Sequence, residues 1–93
     1  MIGDMSFEAT LLRLPTTGSW VFAPVPEEYA PPLPVQAFGR VPVVATVDGR
    51  TWATSVWRDK RGEWLLPVPL KIRRGKDHGD TVTVDLELDD SRL

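Results

Sequence analysis

The sequence has no cysteine, a single histidine and no apolar run long enough to cross a bilayer. Without cysteine there is neither a disulfide framework nor a thiolate for zinc binding or nucleophilic attack, a composition compatible with a reducing compartment. The lone histidine, His78, leaves a metal site short of ligands, since zinc takes three or four converging side chains. No stretch approaches the ~18 apolar residues of a spanning helix, and Met1 to Glu8 hold neither a basic nor an apolar leader segment. The chain is therefore expected to stay in the cytoplasm, without membrane contact. A net charge of −2 and a pI near 5.3 provide no global attraction to nucleic acid, which is not expected as a partner. Ser55 lies in no nucleophile-elbow or Ser-x-x-Lys context. The sequence thus assigns no catalytic, cofactor-binding or metal-binding residue.

What is present is β pattern. With 93 residues, of which 42% are hydrophobic, the chain suits one domain over residues 1–93 with one core. Phe7 to Leu14 alternates loosely, Pro15 to Gly18 reads as a turn, and Ser19 to Ala23 reads as the returning strand. Five prolines between Pro24 and Pro34 exclude a sustained helix or central strand, so this segment is expected to cross over the barrel end, with at most one helical turn near Pro26 to Tyr29. Arg40 to Val47 reads as a strand buried on both sides, and Asp48-Gly49 as a type I′ turn that folds Arg50 to Trp57 back upon it. Glu63 to Pro69 follows, its two prolines suggesting an edge or a bulge. Leu70 to Arg74 suits a single helical turn ended by Gly75. The last strand, Thr81 to Leu88, alternates without exception, with Val82, Val84, Leu86 and Leu88 on one face and Thr81, Thr83, Asp85 and Glu87 on the other. About six short strands with tight turns imply an all-β fold, a small closed or nearly closed barrel with short helical caps.

The order of features resembles the bacterial family of domains of unknown function numbered 1905. The resemblance rests on Phe7-x-Ala9, Ser19-Trp20-x-Phe22, the run Arg40-Val41-Pro42-Val43-x-Ala45-Thr46-Val47-x-Gly49, Trp52-x-Thr54-Ser55-Val56, Leu66-Pro67-Val68, Ile72-Arg73 and Gly79-Asp80-x-Val82-x-Val84-x-Leu86. It covers nearly the whole chain. It implies a compact barrel similar in architecture to double-split barrels, a fold shared with AbrB-type regulators, in which the carboxylate of the Gly-Asp turn satisfies turn N–H groups. The stretch from Glu27 to Pro34 departs from relatives, which carry a helix-like piece there. The family implies a fold and no established activity.

Four tryptophans, Trp20, Trp52, Trp57 and Trp64, are the least ordinary feature of so short a chain. They suit either an apolar cavity at a barrel mouth or the barrel core itself. Lys71 and Arg73, with Arg74, suit an anion at the barrel rim, or salt bridges to Asp85, Glu87 or Asp89. His78 between two acids reads as a solvated turn residue. The leading expectation is a non-enzymatic binding or interaction module for a small apolar or anionic ligand or a protein partner, with Trp20, Trp52, Trp57, Trp64, Lys71 and Arg73 as its ligand-binding residues. A barrel isomerase or cyclase that works by shaping its ligand is the alternative, and an AbrB-like DNA-binding protein follows on fold analogy alone.

Overall fold

Strict alternation produces the most regular pair of strands. A computed structural model describes residues 6–14, 20–29, 40–59, 61–89 and 91. In β7 (Thr81–Leu88), Val82, Val84 and Leu86 are buried while Thr81, Thr83, Asp85 and Glu87 are exposed. In β4 (Arg40–Val47), Val41, Val43, Ala45 and Val47 are fully buried and the intervening Pro42, Val44 and Thr46 are half-buried. The two strands pair antiparallel, Val47 opposite Val84 and Ala45 opposite Leu86, so their apolar faces merge into one core wall.

Asp48 and Gly49 take positive φ of 49° and 87°, as a type I′ turn requires, and β5 (Arg50–Arg58) returns along β4 in unbroken register from Val47↔Arg50 to Arg40↔Trp57. The Asp48 carboxylate also ties the hairpin to its neighbours. Its Oδ1 accepts from the Thr83 backbone N–H at 2.9 Å and its Oδ2 from Lys76 Nζ at 2.9 Å. The Thr83 N–H first, and Lys76 second, hold this carboxyl below its ordinary value of 3.8. A group that ionises more readily folded than unfolded stabilises the fold above its unfolded value, and that contribution is lost as pH falls through the lowered folded value. Asp48→Asn keeps an oxygen acceptor and tolerates positive φ. It is expected to lower stability at neutral pH and to flatten part of the acid limb, read as urea midpoints from about pH 7 to pH 2. Equal acid slopes in the two proteins would contradict the assignment.

With β1 (Ser6–Thr10), β2 (Leu12–Arg13), β3 (Val21–Val25) and β6 (Trp64–Pro67), the sheet order is β1-β7-β4-β5-β6-β3-β2, and its two ends lie on one stretch of chain. β1 pairs with β7, and β2 pairs with β3. Only Leu11 separates β1 from β2, so the chain must bend the sheet round upon itself to serve both edges. Leu11 is buried, donates its N–H to Asp80 O at 2.8 Å and accepts Gly79 N–H at 2.9 Å. Splitting the first strand here accounts for seven strands where about six are expected, in a nearly closed barrel. In the same turn Asp80 Oδ2 accepts the Asp77 N–H at 2.8 Å, the carboxylate role that the family resemblance implies.

Of the two places its prolines suggest, an edge or a bulge, β6 (Trp64–Pro67) does not take the edge. It lies between β5 and β3, pairing with β3 from Val25↔Trp64 to Phe22↔Pro67, but with β5 only at Trp57↔Leu65 and Arg58↔Trp64. The prolines explain where that ladder stops. Val68 N–H donates to Val21 O in β3, so by alternation the nitrogens of Pro67 and Pro69 face β5, and neither carries a hydrogen. Beyond Leu65 the two strands part. The chain then forms a single helical turn, α1 (Leu70–Arg73), whose C-cap Arg74 adopts left-handed geometry before Gly75. Arg50 Nη1 donates to Ile72 O at 3.0 Å and docks this turn on the hairpin.

A 3-10 turn, Glu27–Tyr29, follows Pro26 and sets the Tyr29 ring 4.9 Å from Phe7. Of the crossover expected from Pro24 to Pro34, Pro24 belongs instead to β3, opposite Leu65, while Pro31, Pro32 and Pro34, like the Pro15 to Gly18 turn, lie outside the described residues. No helix among the described residues is long and apolar enough to cross a membrane.

Candidate functional site

Where β5 and β6 part, a cavity of about 730 Å³ opens. Trp52 and Thr54 belong to the inner face of β5, opposite Ala45 and Val43, whereas Ser55 and Trp57 belong to its outer face, opposite Pro42 and Arg40. All four line the cavity, as do Pro67, Val68, Pro69 and Leu70 on the facing segment. Residues from both faces of a strand share one cavity because the sheet is open at this point. Both prolines that end the ladder therefore stand in the wall of the gap they create.

The outer wall is aromatic. Trp20, 48% exposed, has its ring 5.5 Å from Trp57, and Phe22 lies behind them at 6.0 Å and 6.5 Å. The Arg40 guanidinium sits 5.8 Å from the Trp57 ring centre, within cation–π range. Leu70, 71% exposed, lies in the wall beside them.

The rest of the wall is charged. Arg73 comes from α1, Arg13 from β2, and Asp77 from the turn before β7. Arg73 is only 7% exposed, and its Nε and Nη1 are buried without a hydrogen-bond partner among the described residues. Among the described residues the carboxylate paired with it is Asp77, whose Oδ1 is 4.0 Å from Nη1, beyond hydrogen-bond distance. That oxygen already accepts from Arg13 Nη2 and from the His78 backbone N–H at 2.7 Å. The His78 N–H first, and Arg13 second, hold the Asp77 carboxyl below its ordinary value, which keeps it ionised beside Arg73. The His78 ring accepts the Arg13 backbone N–H on Nδ1 at 3.0 Å. Among the described residues, no three His, Cys, Asp or Glu side chains converge in a way that would hold a metal ion.

Of the residues singled out from sequence, Trp20, Trp52, Trp57 and Arg73 meet in this wall. Trp64 is placed in the core, 6% exposed, with the Arg58 guanidinium 5.7 Å from its ring centre. Lys71 is exposed on α1 and does not line the cavity. The expected counter-charges Asp85 and Glu87 belong elsewhere, because β7 docks between β1 and β4. Asp85 stands opposite Ser6 and Thr46, and Glu87 opposite Val44, while Arg73 is nearest Asp77. Arg13, Arg40 and Asp77 join the site without having been singled out by pattern. Arg40 alone was within reach of the sequence, because the Asp48-Gly49 turn fixes the register that puts it opposite Trp57.

Chemically, the site offers a desolvated guanidinium with unmade bonds, an aromatic wall and a fixed carboxylate. It suits holding an anion with an apolar body. The chain belongs to the family described as Domain of unknown function (DUF1905), which matches residues 7–86, from β1 through β7. No curated protein matches the sequence.

Proposed function

We propose that the chain is a binding module that takes a small molecule with an apolar body and a negative charge into the cleft between β5 and β6. The observation that carries this reading is Arg73, a buried cation in the cavity wall whose Nε and Nη1 find no hydrogen-bond partner among the described residues. Leaving buried N–H groups of a charged side chain without acceptors costs about 1–3 kcal/mol or more, even with the Asp77 carboxylate 4.0 Å away, and an anion that reaches the guanidinium offsets that cost. The cavity volume falls within the ~300–1,000 Å³ typical of small-molecule sites, and three indoles supply apolar area.

A catalytic reading receives less support from the same wall. Among the described residues its ionisable side chains are three arginines and Asp77, and a carboxylate stabilised by two donors is a poor base. The DNA-binding reading fits poorly too, since these arginines line a recess and one of them is bonded to Asp77.

The test is a thermal-shift screen against acids, amines and neutral compounds of matched size. A ligand at 100 times its Kd adds about 2.7 kcal/mol, which raises the melting temperature of a domain this small by roughly 10 °C or more. Acids are expected to dominate the hits. A screen in which only amines shift the transition, or nothing does, would remove the proposal.

A further inference from the structure

We infer that the cleft selects singly charged aromatic carboxylates over doubly charged phosphate esters, with Asp77 as the residue that sets the choice. The inference rests on the binding reading above and narrows it to a ligand class. Its basis is the charge inventory of the wall. Asp77 is bonded to Arg13 and stands 4.0 Å from Arg73, so its one charge is shared between two guanidinium groups. Arg40 lies over the Trp57 ring in the aromatic part of the wall. Arg73 is left as the buried positive charge with unmade hydrogen bonds.

One negative charge at Arg73 balances it. A second would face Asp77, whose Oδ1 stands 4.0 Å from Arg73 Nη1 and is kept ionised by the His78 N–H and by Arg13. Like charges repel, and although Asp77 is half-exposed and Arg13 offsets part of its charge, the carboxylate beside Arg73 disfavours a second negative charge on the ligand. A carboxylate is planar, as the guanidinium is, and matches its donor geometry. Trp20, Trp52 and Trp57 favour a flat aromatic body, because aromatic pairs gain beyond the area they bury.

Three probes on one ring system separate the possibilities by calorimetry: 2-naphthoate, 2-naphthyl phosphate and 2-naphthamide. The intact chain is expected to bind 2-naphthoate tightest, with the phosphate ester and the amide each weaker by roughly tenfold or more. Asp77→Asn retains an oxygen acceptor for the His78 N–H and Arg13 and removes only the charge. It is expected to improve binding of the phosphate ester by about tenfold relative to 2-naphthoate.

A second measurement needs no variant. Phosphate esters take up a proton near pH 6, so the ester should gain on 2-naphthoate as pH falls from about 7.5 to 5.5. 2-Naphthoate, measured over the same range, is the control for changes in the site itself, where His78 Nδ1 accepts the Arg13 backbone N–H. Equal affinity for the ester and 2-naphthoate, equal affinity for the amide, or an Asp77→Asn effect identical for both anions would overturn the selectivity inference while leaving a binding cleft. Absence of binding by all three probes would overturn the binding reading as well.

Discussion

Replacing Arg73 with methionine is expected to raise the melting temperature of the ligand-free protein while reducing its affinity for an anionic ligand by about ten- to a hundredfold. Both effects follow from one side chain. The guanidinium is 7% exposed and, among the described residues, leaves Nε and Nη1 without hydrogen-bond partners, so burying it stabilises the fold less than an apolar side chain of similar length would. Substitutions of buried ionic groups by packed apolar ones are often stabilising by ~1–4 kcal/mol, and each kcal/mol is worth about 4–8 °C in a domain this small. The lost affinity reflects hydrogen bonds to a charged group, worth ~1.5–3 kcal/mol. A fall in melting temperature of comparable size would mean that the guanidinium is fully bonded in solution, and the anion site would then lose its basis.

Leu66→Ala is expected to cause the largest stability loss, about 2–5 kcal/mol, from a total of only ~5–14 kcal/mol for a chain of this length. Leu66 is fully buried, stands opposite fully buried Ala23 in β3, and follows the last residue of β6 that pairs with β5. There the core loses support from one neighbouring ladder, so packing by the side chain has to hold β6 in place. Collapse into the void is restricted by the ladder to β3, which keeps the transfer and cavity costs near the upper part of that range. Urea denaturation would measure the loss, and a change below about 1 kcal/mol would show that the splayed region packs loosely in solution.

The barrel was largely legible in the sequence because period-2 alternation and turn chemistry are local signals. Thr81 to Leu88 and Arg40 to Val47 carry their buried faces in their own pattern, and Asp48-Gly49 fixes the register of β5 on β4. The cleft was legible only in part. Pro67 and Pro69, two apart, mark one side of a strand as unable to donate, but which neighbour faces that side depends on sheet order. Trp64, Leu65 and Leu66 are all buried, so no alternation separates Trp64 in the core from the three tryptophans in the cavity wall. A four-residue helix has too little length for a periodic face, and so Lys71 outside and Arg73 inside could not be told apart. The misassigned counter-charges Asp85 and Glu87 failed for a related reason, since ion pairing follows long-range docking of β7 rather than its alternation.

The four indoles offer the most direct test of the central claim, because each gives its own side-chain signal in a proton–nitrogen correlation spectrum and one serves as an internal control. Titration with 2-naphthoate is expected to move the signals of Trp20, Trp52 and Trp57 together along one saturation curve and to leave that of Trp64 in place. A shift of Trp64 equal to the other three, or none in any of them at saturating probe, would contradict a ligand cleft between β5 and β6.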